Sequence, residues 1–137
     1  MARAKTAKES ALVNKLLPIL NMLPRAKAIK RHGSAYARAG EPDIDACIDG
    51  RSVQIECKRK DEESTPLQVK RQDEWEAAGA MVIRDAVTLD DVRFAITNPM
   101  TGLLHHQKWD RAVEMADEAE RKKRTGRKRA HRVQDAV

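Results

Sequence analysis

Asp43 ends the string Gly40-Glu41-Pro42-Asp43, and thirteen residues later Glu56 stands in Ile55-Glu56-Cys57-Lys58. Two carboxylates and a lysine can hold a hard divalent cation beside a charged amine if the chain brings them together. Asp49-Gly50 lies midway between the strings, and Asp-Gly is the preferred pair for a two-residue type I′ hairpin turn. Counting outward from that turn sets 48 against 51, 46 against 53 and 44 against 55, which puts Asp43 opposite Glu56. Directly opposed residues have Cβ atoms about 5 Å apart.

The apolar pattern agrees with this register. Ile44, Ala46 and Ile48 share a face with Val53, Ile55 and Cys57, and that face is the expected core. Strict alternation puts Asp43, Asp45, Gln54, Glu56 and Lys58 on the other face. Two carboxylates this close repel by roughly 4 kcal/mol at about 4 Å with an effective dielectric near 20. Lys58, a shared proton or a divalent cation has to offset that repulsion. Oxygen ligands suit Mg2+ or Mn2+ better than zinc, and no Cys/His cluster in the sequence offers a zinc site.

These residues carry a resemblance. Gly-x-Pro-Asp, a hairpin and then hydrophobic-Glu-x-Lys resembles the PD-(D/E)XK nuclease superfamily. Lys58-Arg59-Lys60, then Thr65-Pro66-Leu67-Gln68, then Ala78-Gly79-Ala80 narrows it to the virus-type replication-repair nuclease (VRR-NUC) domain, from about residue 9 to about residue 95. The resemblance implies a metal-dependent deoxyribonuclease in which Asp43 and Glu56 bind Mg2+ (or Mn2+) with the Cys57 backbone carbonyl. Lys58 then positions or activates the attacking water, and Gln68 points back at the site. Glu9 would complete the metal shell, although Thr6-Ala7-Lys8-Glu9 also fits a capping box. Gln68 is open to a similar reading as an ordinary first-turn residue, and Asp45 to that of a surface acid. The resemblance further implies 5′-phosphate products, branched DNA such as a four-way junction as substrate, a homodimer, and a prokaryotic or phage-encoded protein.

The elements that must position these residues read as an α/β, three-layer core with a mixed central sheet flanked by helices, followed by a C-terminal helix and a basic tail. A helix over 7–23 carries Leu12, Leu16, Ile19, Leu20 and Leu23 on one stripe, is kinked by Pro18 and is stopped by Pro24. Glu9 lies next to that stripe. A strand near 26–31 precedes a loop broken at His32-Gly33-Ser34. Lys27, Lys30, Arg31, Arg38 and, past the hairpin, Lys60 are candidates for gripping flanking phosphates, and a solvated basic loop is the alternative.

Thr65-Pro66 reads as an N-cap with proline at the first helical position, Gly79 as the stop, and Leu67, Trp75 and Ala78 as the apolar side. A strand over 81–84 and a helix opening at Thr88-Leu89-Asp90-Asp91 complete a core over 1–97. A helical extension over 98–120 and a mobile basic tail over 121–137 follow, the tail too poor in apolar residues to order itself. His105 and His106, as helix neighbours, make poor joint ligands for one metal.

The net charge of +6 and pI near 9.5 favour a polyanionic partner. Four aromatic residues are too few for an extended base-stacking platform. Cys47 and Cys57 fall on opposite hairpin faces, which fits a reducing cytoplasm. The longest apolar stretch, 16–23, is interrupted by Pro18 and Asn21, so no membrane span is expected and the protein reads as soluble and intracellular. Two other readings stay open: a sequence-preferring or nicking nuclease, and a non-catalytic basic nucleic-acid-binding module.

Overall fold

A computed structural model describes residues 7–32 and 38–135. The elements run α1 (Ala7–Met22), β1 (Ala26–Lys30), β2 (Ile44–Ile48), β3 (Arg51–Cys57), α2 (Pro66–Ala77), β4 (Met81–Ala86), α3 (Leu89–Thr97) and α4 (His106–Asp135). The four strands form one sheet in sequence order, antiparallel across β1–β2–β3 and parallel from β3 to β4. Parallel pairing needs a crossover, and α2 provides it.

The hairpin forms in the expected register. Ile44 pairs with Ile55, Ala46 with Val53 and Ile48 with Arg51. Asp49 and Gly50 both take positive φ, 51° and 84°, as a type I′ turn demands. One sheet face carries Ala28, Ile44, Ala46, Ile48, Val53, Ile55 and Cys57, all buried. Against it pack Leu12, Leu16, Ile19 and Leu20 of α1, Leu23 just past its end, and Val92 and Ile96 of α3. At about 25 cal/mol per Å2 of apolar surface removed from water, this face supplies most of the folding drive.

Trp109, Ala112 and Ala116 of α4 belong to the same cluster. The apolar core therefore runs on past residue 97, and the first turns of the expected extension pack on α1 and α3. The expected break near 120 is absent as secondary structure: α4 is one helix to Asp135, and every side chain from 120 to 132 is exposed. The sequence pattern ends there because apolar periodicity ends there, whereas backbone hydrogen bonds and the ion pairs Glu118–Lys122 and Glu120–Arg124 carry the helix on without a packed face.

The other sheet face is covered by α2, and the covering differs from expectation. Leu67 is exposed, Trp75 only half-buried and Ala78 exposed; Gln72 is the buried residue. Gln72 Nε2 donates to Ser64 Oγ (3.0 Å) and its Oε1 accepts from Arg84 (2.9 Å), while Arg84 also donates to Asp73 (2.9 Å) and Glu76 (3.3 Å). Burial alone would lower the Arg84 pKa, but its bonds to Asp73 and Glu76 raise it overall. Trp75 Nε1 donates to Glu41 (2.6 Å), and Arg71 donates to the Ala39 carbonyl (3.2 Å). A polar lattice thus fixes α2 to the sheet where an apolar stripe was expected.

Candidate active site

The chemistry gathers where β2 begins and β3 ends. Ile44–Ile55 is the last paired rung, and the next pair outward is Asp43 and Glu56. Asp43 Oδ2 accepts the Cys57 backbone N–H at 2.8 Å, which holds its carboxylate at the end of β3. Glu56 and Gln54 are fully buried on the face beneath α2, and Lys58 is nearly so. Lys58 extends the ladder by donating its N–H to the Ala86 carbonyl (2.8 Å), which keeps its side chain on the same face as Glu56.

A bulge sits opposite Glu56. Ile55 pairs with Ile83 and Cys57 with Ala86, so two residues of β4, Arg84 and Asp85, face one of β3. Asp85 absorbs the extra residue at φ 52° and accepts a hydrogen bond from Ser64 Oγ at 2.5 Å. Bulges of this kind re-aim strands at functional sites.

Around Glu56 the polar groups form a short relay. Lys58 Nζ lies 3.4 Å from Glu56 Oε1 and donates to Gln68 Oε1 at 2.7 Å, while Gln68 Nε2 donates to Glu56 Oε1 at 3.3 Å. Gln68 serves two structures at once. Its Oε1 also accepts the Thr65 N–H (2.9 Å), and Thr65 Oγ1 accepts the Gln68 N–H (3.2 Å), a complete capping box. The helix cap therefore fixes the glutamine that reaches the lysine, and the two readings of Gln68 are compatible.

Glu9 is buried on α1, one turn before Leu12 and Val13. A carboxylate held that far from water costs several kcal/mol unless it is neutralised. Thr6, its possible capping partner, lies outside the described residues. Among the described residues no three His, Cys, Asp or Glu side chains gather into a cation cage by themselves. The oxygen donors available where the strands end are the Asp43 and Glu56 carboxylates and the Cys57 carbonyl, a set that suits a hard divalent cation. Asp45 accepts from Gln54 Nε2 (2.8 Å) and pairs with Arg31 (3.6 Å), so it serves the hairpin.

The basic candidates separate. Arg31 is braced inside the fold: it donates to the Pro42 carbonyl (2.9 Å), faces Asp45 and stacks over the Trp75 ring at 5.2 Å. Arg38 is exposed but pairs with Glu41 (3.8 Å) and Glu74 (3.3 Å). Hydrogen bonding from Arg71, with help from Arg38, lowers the Glu74 pKa. Lys27 pairs across from Cys47, on the carboxylate face, whereas Lys30 pairs with Ile44 and so lies on the apolar face, away from Glu56. Lys60 is exposed in the loop after β3. His105 precedes α4, its Nδ1 accepting the Gln107 N–H (3.3 Å) and its ring 4.1 Å from that of His106.

Sequence reasoning put Gln54 on this face without foreseeing its burial, and it missed Gln72 as a member of this layer. The available signal for Gln72 was spacing, one helical turn after Gln68.

No family model matches the sequence, and no curated protein matches it. Solved structures do resemble the fold. One described as a VRR_NUC domain is 19% identical with a TM-score of 0.54, over 65% of this chain and 95% of that one. Another, a VRR_NUC domain protein, is 21% identical with a TM-score of 0.50, over 72% and 93%. The chain thus has the fold of VRR-NUC domains, a mixed four-stranded sheet with flanking helices.

Proposed function

We propose that this chain is a metal-dependent endonuclease that hydrolyses DNA phosphodiester bonds, selective for branched DNA and active as a homodimer. The observation that carries the reading is the convergence of Asp43, Glu56, Lys58 and Gln68 at one end of the hairpin on the VRR-NUC fold. Structural hairpins rarely bury a glutamate and a lysine together, because each charge pays desolvation that their mutual attraction only partly returns.

In this proposal Asp43, Glu56 and the Cys57 carbonyl hold Mg2+, or Mn2+ in its place, with Glu9 completing the shell. The cation, when bound, supplies charge neutralisation at the phosphate and a lower pKa for water. The chain does the rest. The Cys57 N–H fixes the Asp43 carboxylate. Lys58 Nζ, held by Gln68, orients the attacking water and stabilises the negative charge that develops on the phosphate. Lys60, exposed two residues past Lys58, contacts a flanking phosphate, and Lys27, exposed on the carboxylate face toward the hairpin turn, a more distant one. The preference for branched DNA and the dimer rest on the resemblance to the family alone.

One observation favours a non-catalytic reading: Lys58 and Glu56 already neutralise one another at 3.4 Å. A basic binding module would then use the acids only to build the hairpin. Cleavage of junction, flap, nicked and linear duplex DNA, in Mg2+ and in EDTA, decides between them. The proposal expects cleavage in Mg2+, fastest on the junction, none in EDTA and a severe loss with Asp43→Asn. Cleavage indifferent to EDTA and to Asp43→Asn would refute it.

A further inference from the structure

The charge of this protein is lodged in one place. Residues 121–132 hold eight of the 27 Lys and Arg residues and none of the 21 Asp and Glu; without them 19 cations face 21 acids, a formal charge of −2 in place of +6. All twelve residues are exposed, on the part of α4 beyond Ala116, its last core contact. At about 1.5 Å per residue that part extends for roughly 28 Å.

We infer that this end of α4 is a docking arm for duplex DNA that lies in the major groove. The inference rests on the nuclease reading only for the choice of nucleic acid as partner. The physical case starts from what holds the helix. Among the described residues, only Lys122 and Arg124 of the eight cations form ion pairs, with Glu118 (3.4 Å) and Glu120 (3.5 Å). Lys123 and Arg127, Arg124 and Lys128, and Lys128 and Arg132 repel one another at i,i+4 spacing. Gly126 adds backbone freedom at mid-helix, and a Cβ there would meet nothing within 4 Å. A helix with like charges, a glycine and no packing gains most from a polyanion that converts each repulsion into an attraction.

The distribution of the cations selects the partner. Arg121, Arg124, Lys128 and Arg132 form one stripe, Lys122 and Arg129 a second, and Lys123 and Arg127 a third, so the charge surrounds the helix. A membrane plane or an acidic helix meets one side only. The major groove of B-DNA, about 12 Å wide, has a phosphate wall on each side of a helix about 10–12 Å across. Ala130 is the only apolar residue in the segment, so no apolar face exists to enter a bilayer.

The test is fluorescence anisotropy of a labelled 30-base-pair DNA duplex in EDTA across a salt series, comparing the full chain with Arg121→Gln/Arg124→Gln/Lys128→Gln/Arg132→Gln. The expected result is at least tenfold weaker binding by the variant and a salt slope shallower by about 3–4, at roughly 0.9 per lost phosphate contact. Circular dichroism of the full chain should show the helix signal persisting to higher temperature with added duplex. Unchanged affinity and slope would overturn the inference, as would tighter binding to phosphatidylserine vesicles than to the duplex. An equal loss on an RNA duplex, whose major groove is too narrow for a helix, would overturn the groove placement. Since no cleavage is measured, failure here leaves the nuclease proposal standing, and failure of cleavage leaves this result standing.

Discussion

The two faces of the sheet are built from the same strands by the same alternation, yet they are held by different physics. Ile44, Val53 and Ile55 point into a layer of leucine, isoleucine and valine from α1 and α3. Gln54, Glu56 and Lys58 point from the intervening positions into a layer where α2 buries only Gln72. The first face is non-directional and stabilises. The second is directional, each group needing one partner at one distance, and it presents chemistry at a cost in stability. Separating the two lets the site carry buried charge while the fold survives on the opposite side.

That contrast is open to direct attack. The largest effect expected is on activity alone: Asp43→Asn should reduce cleavage about a thousandfold, roughly 4 kcal/mol of transition-state stabilisation, with a nearly unchanged urea midpoint. On the apolar face the signs reverse. Ile55→Ala should cost about 2–5 kcal/mol in urea unfolding through the cavity it leaves, whereas residual folded protein at low temperature should still cleave. A fall in activity with no loss of stability would erase the distinction between the faces.

The buried pair sharpens it further. Lys58→Met alone leaves Glu56 uncompensated and should destabilise by roughly 3–5 kcal/mol, while Glu56→Gln/Lys58→Met should be as stable as the parent or more so, and inactive. A double variant no more stable than the single one would mean that the pair contributes net stability. Smaller again is Gln72→Ala, which removes the buried link between Ser64 and Arg84, each of which keeps its acidic partners, and should cost about 1–3 kcal/mol. Hydrogen exchange should localise that loss to α2.

The smallest effect belongs to the helix cap on the apolar side. Asp91 accepts the Val87 N–H (2.9 Å) and the Thr88 N–H (3.0 Å), and these bonds, Val87 first, depress its pKa from the ordinary aspartate value against the opposing effect of burial. A depressed carboxylate contributes stability that is complete above its unfolded pKa and is lost as pH falls through the lower folded value. Asp91→Ala should therefore cost about 1 kcal/mol at neutral pH and flatten the stability profile below about pH 4. An acid limb identical to the parent's would assign that stability to other groups.

Much of this was legible in the residues, for reasons that are local. Asp49-Gly50 fixes a turn because both residues must reach positive φ, and period-two alternation then assigns every side chain of the hairpin to a face. Thr65 with Gln68, and Thr88 with Asp91, announce helix starts by closing reciprocal hydrogen bonds within four residues. Lys30 is instructive in the other direction: alternation alone sets it apart from Lys27 and Arg31, but grouping it by charge obscured that. The polar mounting of α2 was invisible because hydrophobic patterning is silent about glutamines. The far end of α4 escaped because a helix without an apolar face leaves no periodicity to read.

By itself, then, the sequence determined the hairpin register, the two helix caps, the α1 stripe and the pairing of Asp43 with Glu56, since each depends on contacts between near neighbours or on a strict repeat. Only the tertiary structure decided that Gln68 reaches Lys58, that a β4 bulge faces Glu56, that Arg31 lies over Trp75 and that α4 joins the core through Trp109. Those depend on how separate elements dock. Docking is set by the summed packing of surfaces far apart in the chain, which no local pattern encodes.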